Sequence, residues 1–118
     1  MSTIERVFKD NMTSPLRRPL LAGNWKMNLT LAQSVELASA VKEGASAASG
    51  ETAVCVPFTA IAAVAEVLKG SAVRLGGQDC CWEASGAYTG EVSCGMLVDA
   101  ACSMVIIGHS ERRKLFGD

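Results

Sequence analysis

Histidine is nearly missing from this sequence: His109 is the only one among 118 residues. Cysteine occurs five times, but the odd number and the lack of any C-x-x-C pair leave no zinc-type ligand set, the more so with one imidazole to contribute. Cys55, Cys80, Cys81, Cys94 and Cys102 therefore read as small, mostly core residues of a reducing compartment. Also lacking is any apolar run near the roughly 18–20 residues that cross a bilayer. Charge of one sign is nowhere concentrated. The formal net charge is −1, and no block of like charges could line a nucleic-acid groove or a polybasic membrane face. The opening "MSTIERVFKDNM" has no apolar segment of the secretory type, and its acidic residues suit a transit peptide poorly. These absences predict a soluble cytoplasmic protein that binds neither nucleic acid nor membrane and holds no metal.

What is present is the composition of one packed domain: 49% of residues are apolar and 19% charged. Strand and helix signals alternate. "PLLAGNW" (Pro19 to Trp25) is a short apolar run. Leu31, Val35, Ala38 and Val41 then share a helical face, with Thr30 and Gln33 as a capping box and Gly44 near the end. "TAVCVPF" is the second strand, with Pro57 confined to its end, and Thr59 is placed to cap a helix carrying Ile61, Val64 and Leu68. Ala72 to Asp79 form the third strand, and a glycine-bearing loop, "WEASGAYTGE", follows. Ser93 opens a short helix through Leu97, "SMVIIG" is the fourth strand, and Ser110 is placed to cap a final turn. The order β-α-β-α-β-α-β predicts an α/β protein with a parallel sheet.

Such folds bind ligands at the carboxyl ends of their strands. The polar residues there are Asn24 and Lys26, then Gln78 and Asp79, then His109, Ser110 and Glu111. In extended chain Asn24 and Lys26 point the same way and Trp25 the other. A lysine at a strand end is a fixed positive charge suited to an anionic substrate. If Ser110 caps a turn, His109 lies beside its positive end, which favours neutral imidazole. A neutral ring donates a hydrogen bond to a developing oxyanion, and a lysine stabilises the same charge. This combination fits chemistry that passes through an enolate.

Three segments carry a resemblance: "AGNWKMN" (Ala22 to Asn28), "WEASGAYTGEVS" (Trp82 to Ser93) and "VIIGHSERRKLFGD" (Val105 to Asp118). Together, in order and spacing, they closely resemble the signature segments of the triosephosphate isomerase family. The resemblance implies a fold, the N-terminal half of a TIM (β/α)8 barrel, with about four parallel strands and intervening helices. It also implies an activity of glycolysis and gluconeogenesis, the cofactor-free interconversion of dihydroxyacetone phosphate and glyceraldehyde 3-phosphate. Carried over, Lys26 binds substrate, Asn24 helps to order the site, His109 polarises the carbonyl and shuttles protons, and Glu111 pairs with the lysine. By the same resemblance the loop from Trp82 to Glu91 pairs two subunits of a homodimer. Thr89 then reaches the partner subunit near its Asn24 and Lys26, and Glu91 meets the partner's Arg112.

Two departures bear on stability. Cys94 stands where the family usually has proline, and Ala101 stands where it usually has glycine, which costs about 1 kcal/mol if φ is positive there. A third departure is length, because a barrel of this type needs about 250 residues. The family's general base, a glutamate after the sixth strand, has no counterpart here. The expectation is therefore a partial barrel over residues 19–118, preceded by a poorly ordered extension over residues 1–18, with Met12 as a plausible natural start. Such a fragment is expected to be inactive alone. Two alternatives stand beside the isomerase: a non-catalytic phosphate-binding or subunit-pairing half-barrel, and a self-sufficient doubly wound domain.

Overall fold

Capped helices and short apolar strands take up the expected alternating order. The computed structural model describes residues 17–118, so most of the segment assigned to an N-terminal extension lies outside the described residues. The strands are β1 (Leu20–Asn24), β2 (Glu51–Cys55), β3 (Arg74–Gly77) and β4 (Met104–Val105). The helices are α1 (Leu31–Ala45), α2 (Ile61–Leu68), α3 (Cys94–Asp99) and α4 (Ser110–Leu115), with a 3-10 turn at Phe58–Ala60 before α2. No helix among the described residues is long and apolar enough to cross a membrane.

All four strands are parallel, in the order β1-β2-β3-β4. A doubly wound domain reverses its strand order at a switch point. No reversal occurs here, and that alternative falls. The register sets Cys55, Gly76 and Met104 side by side across three strands. Glycine is needed in the middle, because a Cβ on Gly76 would lie 2.8 Å from both Cys55 Sγ and Met104 Cγ. On the helix side, Val54, Val56 and Leu75 join Ile61, Val64 and Leu68 of α2, Leu97 of α3 and Ala38 of α1 in one core.

Local chemistry explains most helix ends. Thr30 Oγ1 accepts the Gln33 N–H at 3.3 Å, and Gln33 Oε1 accepts the Thr30 N–H at 3.0 Å, so the expected capping box forms. Ser93 Oγ accepts the Met96 N–H at 3.2 Å and opens α3 as read. At the other end of α3, the Cys102 N–H bonds to Leu97 O and the Ala101 N–H to Val98 O, a Schellman closure. That closure requires the left-handed region at Ala101, whose φ is +73°.

The structure corrects three sequence expectations. Thr59 does not cap α2. Pro57, with its fixed φ, starts the 3-10 turn, and the Ala60 N–H is satisfied by Pro57 O at 2.9 Å. The buried face of α1 is only partly the expected one, because Ala38 is buried as read but Leu31 is 57% exposed and Val35 38%. Ser34 is buried beside Ala38 in their place and Val41 packs against the core as expected, because small residues let α1 approach α2 closely. Finally, β3 and β4 are shorter than their apolar runs, and Ile107 beyond β4 is exposed.

Candidate active site

Beyond the carboxyl ends of the strands lies an open cleft of about 350 Å³, lined by Asn24, Lys26, Gln78, Asp79, Glu91, His109, Glu111 and Arg112 among others. The polar residues read from three separate strand ends therefore converge. Trp25 anchors the first of them. The residue is buried, and its backbone N–H donates to Cys55 O at 3.0 Å, carrying the ladder one step past β1.

Lys26 does not reach the cleft by the strand alternation expected from its spacing to Asn24. Its φ is +55°, a left-handed turn that breaks the extended geometry. Asn24 holds that turn, its Oδ1 accepting the Lys26 N–H at 2.9 Å. Asn28 steadies the following residues by donating to Trp25 O at 2.8 Å. Gln78 completes the arrangement from β3. Its amide donates to Lys26 O and Cys55 O, both at 3.0 Å, with Asn24 Oδ1 at 3.3 Å. Sequence reasoning placed Gln78 at a strand end but missed its work. It ties the β1 turn to the sheet, and only the register of β2 and β3 reveals it.

Lys26 Nζ lies 2.7 Å from Glu111 Oε1, with both side chains about half exposed. The hydrogen bond from Lys26 holds the Glu111 carboxyl below its ordinary range, and the charge of Lys26 acts in the same direction. At the start of α4 the expected cap is corrected. His109, not Ser110, is the N-cap, and its Nδ1 accepts the Glu111 N–H at 3.1 Å. An imidazole nitrogen that accepts a hydrogen bond carries no proton, so Nε2 carries it in the neutral ring. The 3.6 Å approach of Glu111 Oε2 to Nδ1 is then a contact and not an ion pair.

Arg112 is occupied within its own chain. Its Nε lies 2.5 Å from Asp118 Oδ2 and 3.3 Å from Asp79 Oδ2, and its guanidinium stacks 5.0 Å from the Phe116 ring. Asp118 above all, then Asp79 and Glu91, raise its affinity for the proton. Glu91 lies on the same cleft wall, whereas Thr89 is exposed on the loop with Trp82, whose ring meets Tyr88 edge to face at 6.3 Å.

A lysine, a neutral imidazole and an acid at neighbouring strand ends are one geometry; the sequence comparisons supply its ancestry. The sequence model of the triosephosphate isomerase family matches residues 19–118. The chain belongs to the triosephosphate isomerase family. An isomerase of Moorella thermoacetica is 50% identical over 103 residues, covering 87% of this chain and 41% of that protein. The triosephosphate isomerase of Geotalea uraniireducens is 49% identical over 104 residues, with the same coverage. The crystal structure of triosephosphate isomerase from Bartonella henselae superposes with a TM-score of 0.80 at 44% identity, covering 86% of this chain and 42% of that one. This chain thus spans about two fifths of the length of these isomerases. Its fold is the N-terminal half of their (β/α)8 barrel.

Proposed function

We propose that this chain supplies the electrophilic half of a triosephosphate isomerase site, which interconverts dihydroxyacetone phosphate and D-glyceraldehyde 3-phosphate through an enediolate. The observation that carries the reading is the convergence of Lys26 and His109 on one cleft. Lys26 sits on a turn fixed by Asn24 and Gln78, and His109 has Nδ1 satisfied by backbone. Pre-organised donors need no rearrangement as charge develops, which is what electrostatic catalysis requires. Lys26 offers a positive charge to the phosphorylated substrate and to the developing oxyanion. His109 donates from Nε2 to the carbonyl oxygen and, as the proton moves between the two oxygens, passes through its other protonation state. Glu111 holds the Lys26 ammonium in place, and no cofactor takes part. The base that removes the carbon-bound proton comes, by family resemblance, from a glutamate after a sixth strand. The exposed loop from Trp82 to Glu91, with Thr89 exposed on it, serves as a subunit-pairing element, and Arg112 would then exchange an in-chain acid for the partner's Glu91.

The test places residues 19–118 in the matching stretch of a longer isomerase, where turnover is measurable. Lys26→Ala should abolish measurable turnover, and His109→Gln should lower it roughly 10²–10⁴-fold, as expected for a positioned acid–base group. Near-unchanged turnover in Lys26→Ala would sink the assignment.

A further inference from the structure

Two thiols outside the cleft are in contact. Cys94 Sγ lies 3.3 Å from Cys80 Sγ, although the two residues are separated by the whole exposed loop. The placement is built in. The Cys81 N–H donates to Val92 O at 2.8 Å, and Cys81 bridges Ser93, so the two ends of the loop are pinned together at its base. Cys94 is exposed on the first turn of α3, Cys80 is partly buried after β3, and both are free thiols. Closing the contact to a disulfide of about 2.05 Å needs only a small movement.

We infer that Cys80 and Cys94 form a dithiol site for small-molecule disulfides, which oxidise the pair to an intramolecular bond that closes the base of the Trp82–Glu91 loop. Cys94, the accessible sulfur, attacks one sulfur of a disulfide RSSR as its thiolate, forming a mixed disulfide and releasing RS⁻. Cys80 then gives its proton to that RS⁻ and attacks Cys94 Sγ, expelling the second thiolate, which takes up the proton first lost by Cys94. Two protein thiols and RSSR become one protein disulfide and two RSH, so two electrons pass to the reagent. The order of attack follows from access and from protonation. The hydrogen bond with Cys94 pushes the Cys80 thiol up to about 11, with partial burial and the charge of Asp79 acting in the same direction, so Cys80 remains a thiol until the mixed disulfide forms. Neither step involves the cleft, and the inference stands whether or not the isomerase reading does.

The reduced 118-residue protein is treated with oxidised glutathione, alkylated, and digested after glutamate. Cleavage at Glu83 and Glu91 separates Cys80 from Cys94. The expected result is the loss of two of the five thiols, no retained glutathione, and a cross-link assigned to Cys80 and Cys94 by fragmentation. Cys80→Ser, lacking the resolving sulfur, should accumulate one glutathione on Cys94, and Cys94→Ser should form no cross-link. Five alkylatable thiols throughout, a Cys80–Cys81 bond, or glutathione retained on Cys94 of the unsubstituted protein would each overturn the inference. Should Cys80→Ser fail to fold, the cross-link map of the unsubstituted protein decides alone.

Discussion

A lysine in the left-handed region costs roughly 1–2 kcal/mol relative to ordinary backbone. The hydrogen bonds from the Lys26 N–H to Asn24 and from Gln78 to Lys26 O contribute about 0.5–1.5 kcal/mol each and offset it. The strain is thus tolerated where a fixed ammonium is wanted. That ammonium in turn sets the titration of Glu111, which ordinarily falls near 4.5 and is lowered here first by the Lys26 hydrogen bond. A lowered folded value means that the pair's contribution is fully present above the ordinary value and disappears as pH falls through the lowered one. Because both side chains are about half exposed, the effect should also weaken with salt. A ¹³C titration of the Glu111 carboxyl should show a midpoint below 4.5 that returns to the ordinary range in Lys26→Met. An identical midpoint in both proteins would mean that the ion pair does not persist in solution.

At the level of elements, the end of α3 shows a local cost accepted for a tertiary closure. The Schellman bonds of Ala101 and Cys102 place Ala101 at φ +73°, a conformation that glycine enters freely and alanine does not. Ala101 is exposed, so removing its methyl leaves no cavity. Ala101→Gly should therefore stabilise the chain by about 1 kcal/mol in urea unfolding. A loss of stability would show that α3 does not end in this closure in solution. The opposite case is Gly76, where any side chain would press on Cys55 and Met104 in the neighbouring strands. One glycine is missing where the backbone calls for it, and another is present because the sheet leaves no room.

Over the whole molecule, the four-stranded sheet is open. Among the described residues, β1 pairs only with β2 and β4 only with β3, and Leu20, Leu21 and Ile107 remain exposed near these edges. The cleft is open in a chemical sense as well. Two of its carboxylates are engaged, Glu111 by Lys26 and Asp79 by Arg112, while Glu91 lies on the exposed loop. Proton abstraction from carbon needs a base within hydrogen-bond reach of that proton. The 118-residue chain by itself should therefore give no detectable turnover of triose phosphates in a coupled assay, with Lys26→Ala as the contamination control. Turnover that vanishes in the variant would show that an acid of this cleft acts as base.

The sequence by itself determined the element order, the parallel sheet, the capping box at Thr30, the opening of α3 at Ser93, and the strand ends that carry polar residues. All of these rest on spacings of a few residues, where turn, cap and periodicity act between neighbours. The tertiary structure alone decided that Ser34, and not Leu31 or Val35, is buried beside the expected Ala38 of α1, because the closeness of α2 favours the small residue. It also decided that Lys26 turns left-handed under Asn24 and Gln78, that His109 caps α4 itself, that Arg112 finds Asp79, and that Cys80 meets Cys94. The Gln78, Arg112 and Cys94 contacts depend on register and loop closure across distant stretches of chain. The turn at Lys26 and the cap at His109 are local bonds whose geometry is set by the strands that end there. Their i, i+2 spacing is present in the sequence, but spacing alone does not say which of the possible local bonds forms.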